Sequence, residues 1–476
     1  MTITRTPPNR ISSIILFATV GAAPLPFGST DPITIAFWCF ILGIGVLAAS
    51  PRLLRREHSP LIALAIIVFL AYAFVLHEQL ADRPWLGIDH PLWGKAATTL
   101  GAPLAPSVSI ARNQPLFALG APLANMLAII CSFTVCIDRD RAHRLFLLVA
   151  WSGAIYAAYG IATYFIDPNH LLWREKIAYR EVLTSTFINR NTAAAYFGSC
   201  AVLWVLLLSR QLRRQFASER GQISWRGLAG QLLSEMPRKV LLAFTMFLLC
   251  LVAMLMTNSR AGILFSLAAI VVAFAIYFYR EFPRLGGLAV TLGIGGLAAL
   301  LFLQFLGGNV VGRFELQGLS DEGRFETYYS TLRMIADRPW LGSGLGTFAW
   351  AFPAYRSPNI SMWGVWDRAH STPLELAADL GLPMAALIVV AWMIVLAVLV
   401  RGLLTRRRDL ILPLGALAVA ILALTHSAVD FSLQITGYSI VVFALVGAGL
   451  AQSFTSINNE KSSPGPGQRP ATSATL

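Results

Sequence analysis

Charge is scarce in this chain. Only 13% of its 476 residues are Asp, Glu, Lys or Arg, while 56% are hydrophobic; soluble globular domains carry roughly 25% charge. With a mean hydropathy of +0.64, the composition excludes a soluble globule and makes the chain an integral membrane protein. Cysteine is nearly as rare. The five present, Cys39, Cys131, Cys136, Cys200 and Cys250, all lie in apolar runs, where Cys packs as a small residue, and none stands at disulfide-framework or metal-ligand spacing. No metal and no cofactor is expected. Negative charge is the rarer sign, 24 Asp and Glu against 37 Lys and Arg, and the formal net charge is +13.

Long apolar runs are what the chain has in plenty. Twelve of them approach the roughly 20 residues of a bilayer-crossing helix, at about 11–28, 33–49, 60–77, 116–137, 145–166, 190–209, 240–257, 261–279, 285–306, 382–400, 411–425 and 438–453. The expected fold is all-α, a polytopic transmembrane helical bundle of about 12 spans with one large outer loop containing short helices. Spans one to nine occupy 1–306, the loop 307–383, spans ten to twelve 384–453, and a disordered tail 454–476. With the N-terminus inside, the inner segments hold most of the Lys and Arg and a minority of the acidic residues, so both termini are expected to be cytoplasmic. That distribution, with anionic lipid headgroups as partners, accounts for the positive charge without nucleic acid. The Arg-rich segment 210–239 reads as an interfacial cytoplasmic stretch. Residues 1–25 look like a signal peptide, but eleven further spans favour a retained first helix. ADRPWLG occurs at 81–87 and again at 336–342; it reads as a helix stopped by proline with Trp at the interface, rather than as a duplication.

The outer segments gather the distinctive polar groups. Arg190 in FINRNTAAAYF and Arg260 in TNSRAGILF each stand where a span begins, beside the N-cap candidates Asn189, Asn191, Asn258 and Ser259. Free N–H groups, about half a positive charge and an arginine fork suit phosphate, and two such ends at one level suit a diphosphate. The alternative for either arginine is snorkelling at the interface. In AHSTPLELAADLG, Thr372 reads as an N-cap, Pro373 as the first helical residue and Glu375 as its capping-box partner, with Gly381 and Pro383 ending the helix. His370 then precedes a positive helix end that favours neutral imidazole, able to accept a hydroxyl proton; the alternative is a structural hydrogen bond. Residues 321–336 read as an amphipathic helix with Phe325, Tyr328, Tyr329, Leu332 and Ile335 on one face and Arg324 and Arg333 elsewhere, suited to lie over an acyl chain or a sugar. GSGLGTF at 342–348 is a flexible turn and a weak phosphate cradle, because no strand precedes it. His426 and Asp430, four residues apart, form either a supporting pair or interface polarity.

These segments together resemble the O-antigen ligase and O-antigen polymerase superfamily of bacterial membrane glycosyltransferases. The resemblance rests on Asn189-Arg190-Asn191, Asn258-Ser259-Arg260-Ala261-Gly262, Gly323-Arg324, DRPWLGSGLGTF at 337–348, His370-Ser371 with Leu374-Glu375, and His426-Ser427 with Asp430-Phe431. It implies transfer of a glycan from an undecaprenyl-diphosphate carrier to an acceptor hydroxyl, a lipid A core sugar or another glycan, at the periplasmic face of the inner membrane. It implies no metal and inversion at the anomeric carbon. Arg190 and Arg260 would match the arginines that hold the diphosphate, and His370 the histidine that activates the acceptor. Arg324 and Arg338 match motif positions of less settled role, and His426 and Asp430 close the set. Ligase, polymerase and protein glycosyltransferase share these motifs. A twelve-span transporter or flippase is the alternative from another class; it is expected to show midplane binding groups and repeat symmetry, whereas here the halves differ and the polar groups cluster at outer ends.

Overall fold

Every apolar run within the described residues becomes a helix. The structure, a computed structural model, describes residues 9–216, 237–279, 296, 322–360, 365–406 and 409–454. The long elements are α1 (Arg10–Ala22), α2 (Pro32–Leu47), α3 (Ser59–Leu80), then the short α4 (Leu92–Leu100) and α5 (Gln114–Ala118), α6 (Gly120–Val135) and α7 (Arg139–Ile166). A small hairpin of β1 (His170–Leu171) and β2 (Arg174–Glu175) follows, pairing His170 with Glu175. Next come α8 (Arg190–Phe216), α9 (Arg238–Met256) and α10 (Arg260–Phe278). After them stand α11 (Glu322–Asp337), α12 (Phe348–Ala351) and α13 (Thr372–Leu380), and the chain closes with α14 (Leu382–Thr405), α15 (Ile411–Val429) and α16 (Thr436–Ala451).

Eight helical stretches among the described residues are long and apolar enough to cross a membrane, and α1, α2 and α16 are shorter apolar helices that coincide with expected spans one, two and twelve. The expected ninth span apart from residue 296, most of the Arg-rich segment and the tail beyond 454 lie outside the described residues. An all-α membrane bundle is thus the observed class.

Burial sorts the helices into a pillar and a jacket. In α8, 94% of the apolar stretch is buried, against 11% in α14 and 17% in α3; α7, α9, α10 and α15 pack around it. Small residues let the backbones approach, as in membrane helix packing generally. A Cβ added to Gly153 of α7 would fall onto Cys200 of α8, one added to Gly198 of α8 onto Ser266 of α10, and one added to Gly449 of α16 onto Ala416 of α15.

The polar layer at one end is broader than expected. Besides the large loop it includes segment 81–113 with α4. Ile110 N–H donates to Ser343 O at 2.9 Å, and the buried Gln79 at the end of α3 donates to Leu341 O and Asp379 O, each at 2.8 Å, while accepting from Leu345 N–H at 2.9 Å. Pro91, Gly94 and Gly101 punctuate α4 too closely for a periodic signal to be read there.

One local expectation is corrected and two are filled in. The α13 cap is Ser371, with no side-chain cap bond; Thr372 Oγ1 donates instead to Asp430 O at 3.3 Å, and Glu375 reaches back to Ala369 N–H at 2.8 Å and Arg368 at 3.1 Å. The glycine-rich turn is a poor phosphate cradle, as its sequence reads. Its amides are spent closing α13, Ser343 N–H to Ala378 O at 2.9 Å, Gly344 N–H to Asp379 O at 3.1 Å and Gly346 N–H to Asp379 Oδ2 at 2.7 Å. Gly342, Gly344 and Gly346 hold φ of 67°, 115° and 70° to do so, a region that penalises any side chain. Finally, α11 buries Thr327, Ser330, Thr331, Met334 and Ile335 and exposes Phe325, Tyr329 and Leu332. Two buried hydroxyls are satisfied one turn back, Thr327 to Gly323 O and Thr331 to Thr327 O, both at 2.7 Å, so the small hydroxyl face, not the aromatic one, can pack closely on α13.

Candidate functional site

The starts of α8 and α10 meet. Asn189 Oδ1 accepts Asn191 N–H at 2.6 Å, the bond an N-cap makes. Ser259 is the N-cap of α10, accepting Gly262 N–H at 3.3 Å, and Asn258 before it has φ 52°. Ser259 Oγ then donates to Asn191 Oδ1 at 2.8 Å, while Asn191 Nδ2 donates to Asp430 Oδ2. Asn191, Ser259 and Asp430 are all buried. One amide thus fastens two helix starts to the end of α15, and Arg190 and Arg260 are the first residues of the two helices so joined. The Arg190 guanidinium also lies 5.2 Å over the Tyr179 ring.

The same hub takes in the large loop. Arg324 donates to Val429 O at 3.1 Å and stands 4.0 Å from the Asp430 carboxylate. His370 packs edge-on against Phe431, centroids 5.3 Å apart, and against Trp366 at 5.6 Å. Its φ of 53° is left-handed, a conformation that ordinarily costs a non-glycine residue about 1 kcal/mol or more. Both flanks are tied down: Tyr328 OH donates to His370 O at 3.0 Å, and Ala369 N–H donates to Glu375 Oε2 at 2.8 Å.

Glu375 is buried and pairs with the half-buried Arg368, whose Nη1 also donates to Gln434 Oε1 at 2.7 Å. Burial raises the Glu375 carboxyl above its ordinary value although Arg368 and Ala369 N–H draw it down. Asp379, one turn on, is raised further by burial and by Glu375. Burial opposes the Arg368 charge, but Glu375 outweighs it and its proton is held more tightly than usual.

One sequence candidate stands apart from this grouping. Arg338 donates to Asp89 O at 3.3 Å and lines a small cavity of about 60 Å³ with Ile88, Val108 and Trp340. The two ADRPWLG copies end α3 and α11 with Trp85 74% and Trp340 66% exposed, as the proline-stop reading expects. His426 by contrast adjoins the grouping: buried within α15 one turn before Asp430, it is close enough to act electrostatically with Asp430 and Arg324, and its Nδ1 is 2.8 Å from Ser432 Oγ. Sequence reasoning missed the Asn191 bridge and the Arg368–Gln434 tie, whereas Glu375 was legible as a cap and as part of the His370 motif. Among the described residues no group of three His, Cys, Asp or Glu side chains is placed to hold a metal ion.

Fold and site define a polytopic membrane protein with paired arginine-bearing helix starts and a histidine turn at one end of the bundle. Residues 245–389 match the family model described as O-antigen ligase, which supports the O-antigen ligase and polymerase superfamily of membrane glycosyltransferases. That segment contains Arg260, Arg324, Arg338 and His370. No curated protein matches the chain.

Proposed function

We propose that the chain transfers a glycan from an undecaprenyl-diphosphate carrier to an acceptor hydroxyl, of lipid A core or another glycan, at the periplasmic face of the bacterial inner membrane. The observation that carries the reading is the Asn191 bridge, which brings two arginine-bearing helix starts to the turn that presents His370. In this reading Arg190 and Arg260 hold the diphosphate and stabilise the charge that grows on it as the anomeric bond breaks. His370 takes the proton of the attacking hydroxyl. A single displacement by that hydroxyl inverts the anomeric carbon. Arg324 and Asp430 brace the site, and Arg338 is assigned to the fold of the loop instead.

The test is transfer by purified protein from undecaprenyl-diphosphate glycan in detergent, where no leaflets exist and flipping alone yields no product. His370→Ala is expected to bind donor yet transfer about 100-fold to 10,000-fold more slowly; Arg190→Lys with Arg260→Lys should lose donor binding, since Lys lacks the planar fork. Wild-type transfer by His370→Ala would remove the base and leave Glu375 or Asp367 to be tried. A wild-type protein that transfers to no acceptor counts against catalysis and for a transporter.

A further inference from the structure

Arginines also crowd the opposite end of the pillar. Arg139 opens α7, Arg210, Arg213 and Arg214 lie in the last two turns of α8, and Arg406 follows α14. Arg139 pairs with Asp409, and His143 Nε2 stands 3.6 Å from the same carboxylate. Arg210 Nη1 faces His143 Nδ1 at 3.5 Å. A guanidinium only donates, so Nδ1 is the acceptor and the imidazole proton sits on Nε2 toward Asp409; His143 is a neutral bridge. Arg139, Arg214 and Tyr277 are close enough to act on Arg210 electrostatically. Arg406 is held by neutral acceptors, Gln452 Oε1 at 3.1 Å and Phe454 O at 2.7 Å, and feels Arg139. Asp140 is the other carboxylate in reach of His143. Among the described residues, the guanidinium groups of Arg139, Arg210, Arg214 and Arg406 therefore lie in electrostatic reach of one another, with Asp409 and Asp140 beside them. The buried Arg210 Nε has no hydrogen-bond partner among the described residues.

We infer that this end of the bundle binds a phosphate group, gripped by Arg139, Arg210, Arg214 and Arg406. Like charges packed with too few counter-charges are unfavourable, and arginine forks match phosphate oxygens with charge-assisted bonds. An anion supplies the missing charge and gives the buried Arg210 Nε an acceptor. The ligand is an anionic phospholipid headgroup or soluble phosphate, and the inference does not depend on the transfer reaction proposed above.

The full chain, purified in detergent, is tested by native mass spectrometry with phosphatidylglycerol against phosphatidylcholine, and by its melting temperature with millimolar inorganic phosphate. A lipid site retains phosphatidylglycerol in preference, with retention falling about tenfold in Arg210→Gln and Arg214→Gln and unchanged in Arg333→Gln, an exposed arginine of α11. A soluble-phosphate site instead gives a phosphate-dependent rise in melting temperature that the same two variants lose, with no lipid preference. If Arg210→Gln does not fold, Arg214→Gln on the exposed helix end and Arg406→Gln decide. Equal binding of both ligands by wild type and variants overturns the inference.

Discussion

At the scale of single residues, Asn191 is the joint of the candidate site, because an amide donates on one side and accepts on the other. It gives a hydrogen to Asp430 and takes one from Ser259. Asn191→Asp would set two buried carboxylates against each other, a loss on the order of 3 kcal/mol. Exchanging the two groups, Asn191→Asp with Asp430→Asn, restores both hydrogen bonds while leaving Arg324 without its carboxylate. Folded yield and melting temperature should fall in the single variant and largely recover in the double; no recovery would mean that the bridge is not what joins the helices. Arg190 and Arg260 could be singled out as candidates because polar residues at span ends stand out in so apolar a chain, and His370 because it stands just before a helix start in the polar loop. The bridge was not. It joins positions 68 and 239 apart, and no local pattern records such a contact.

Elements were readable in proportion to their length. Each long run within the described residues announced its helix, whereas the packed face of α11 was not legible, because buried Thr and Ser look polar until their hydroxyls are seen bonded to the preceding turn. The glycine-rich turn and α13 form a seam whose ionisable link, among the described residues, is Asp379. Its folded-state value is raised well above 3.8, so the folded chain holds that proton more tightly than the unfolded one. The stability this gives is complete below about pH 3.8 and is lost as pH rises through the raised value. Asp379→Asn keeps an oxygen for Gly346 N–H and cannot ionise. Thermal denaturation should therefore show wild type losing ground to Asp379→Asn from acid to neutral pH, and a gap that stays constant across that range would contradict the assignment.

For the whole molecule, the positive-inside count expects Arg190, Arg260 and His370 to face the periplasm. Native cysteines are buried or half-buried, so single cysteines at exposed sites report cleanly. Thr99→Cys and Asn359→Cys should react with a membrane-impermeant thiol reagent added from outside, and Ser59→Cys should not. Labelling of Ser59→Cys alone would invert the topology. Whichever way the bundle faces, α8 carries an arginine at each end of its buried stretch, Arg190 and Arg210, about 30 Å apart along a helix. That span equals the hydrocarbon thickness of an ordinary bilayer. A lipid-facing helix relieves a mismatch by tilting, but α8 is walled in by four others and has no room to lean. The pillar thus acts as a gauge: in a thicker or thinner membrane it is the surrounding lipid, not α8, that must stretch or compress to meet it.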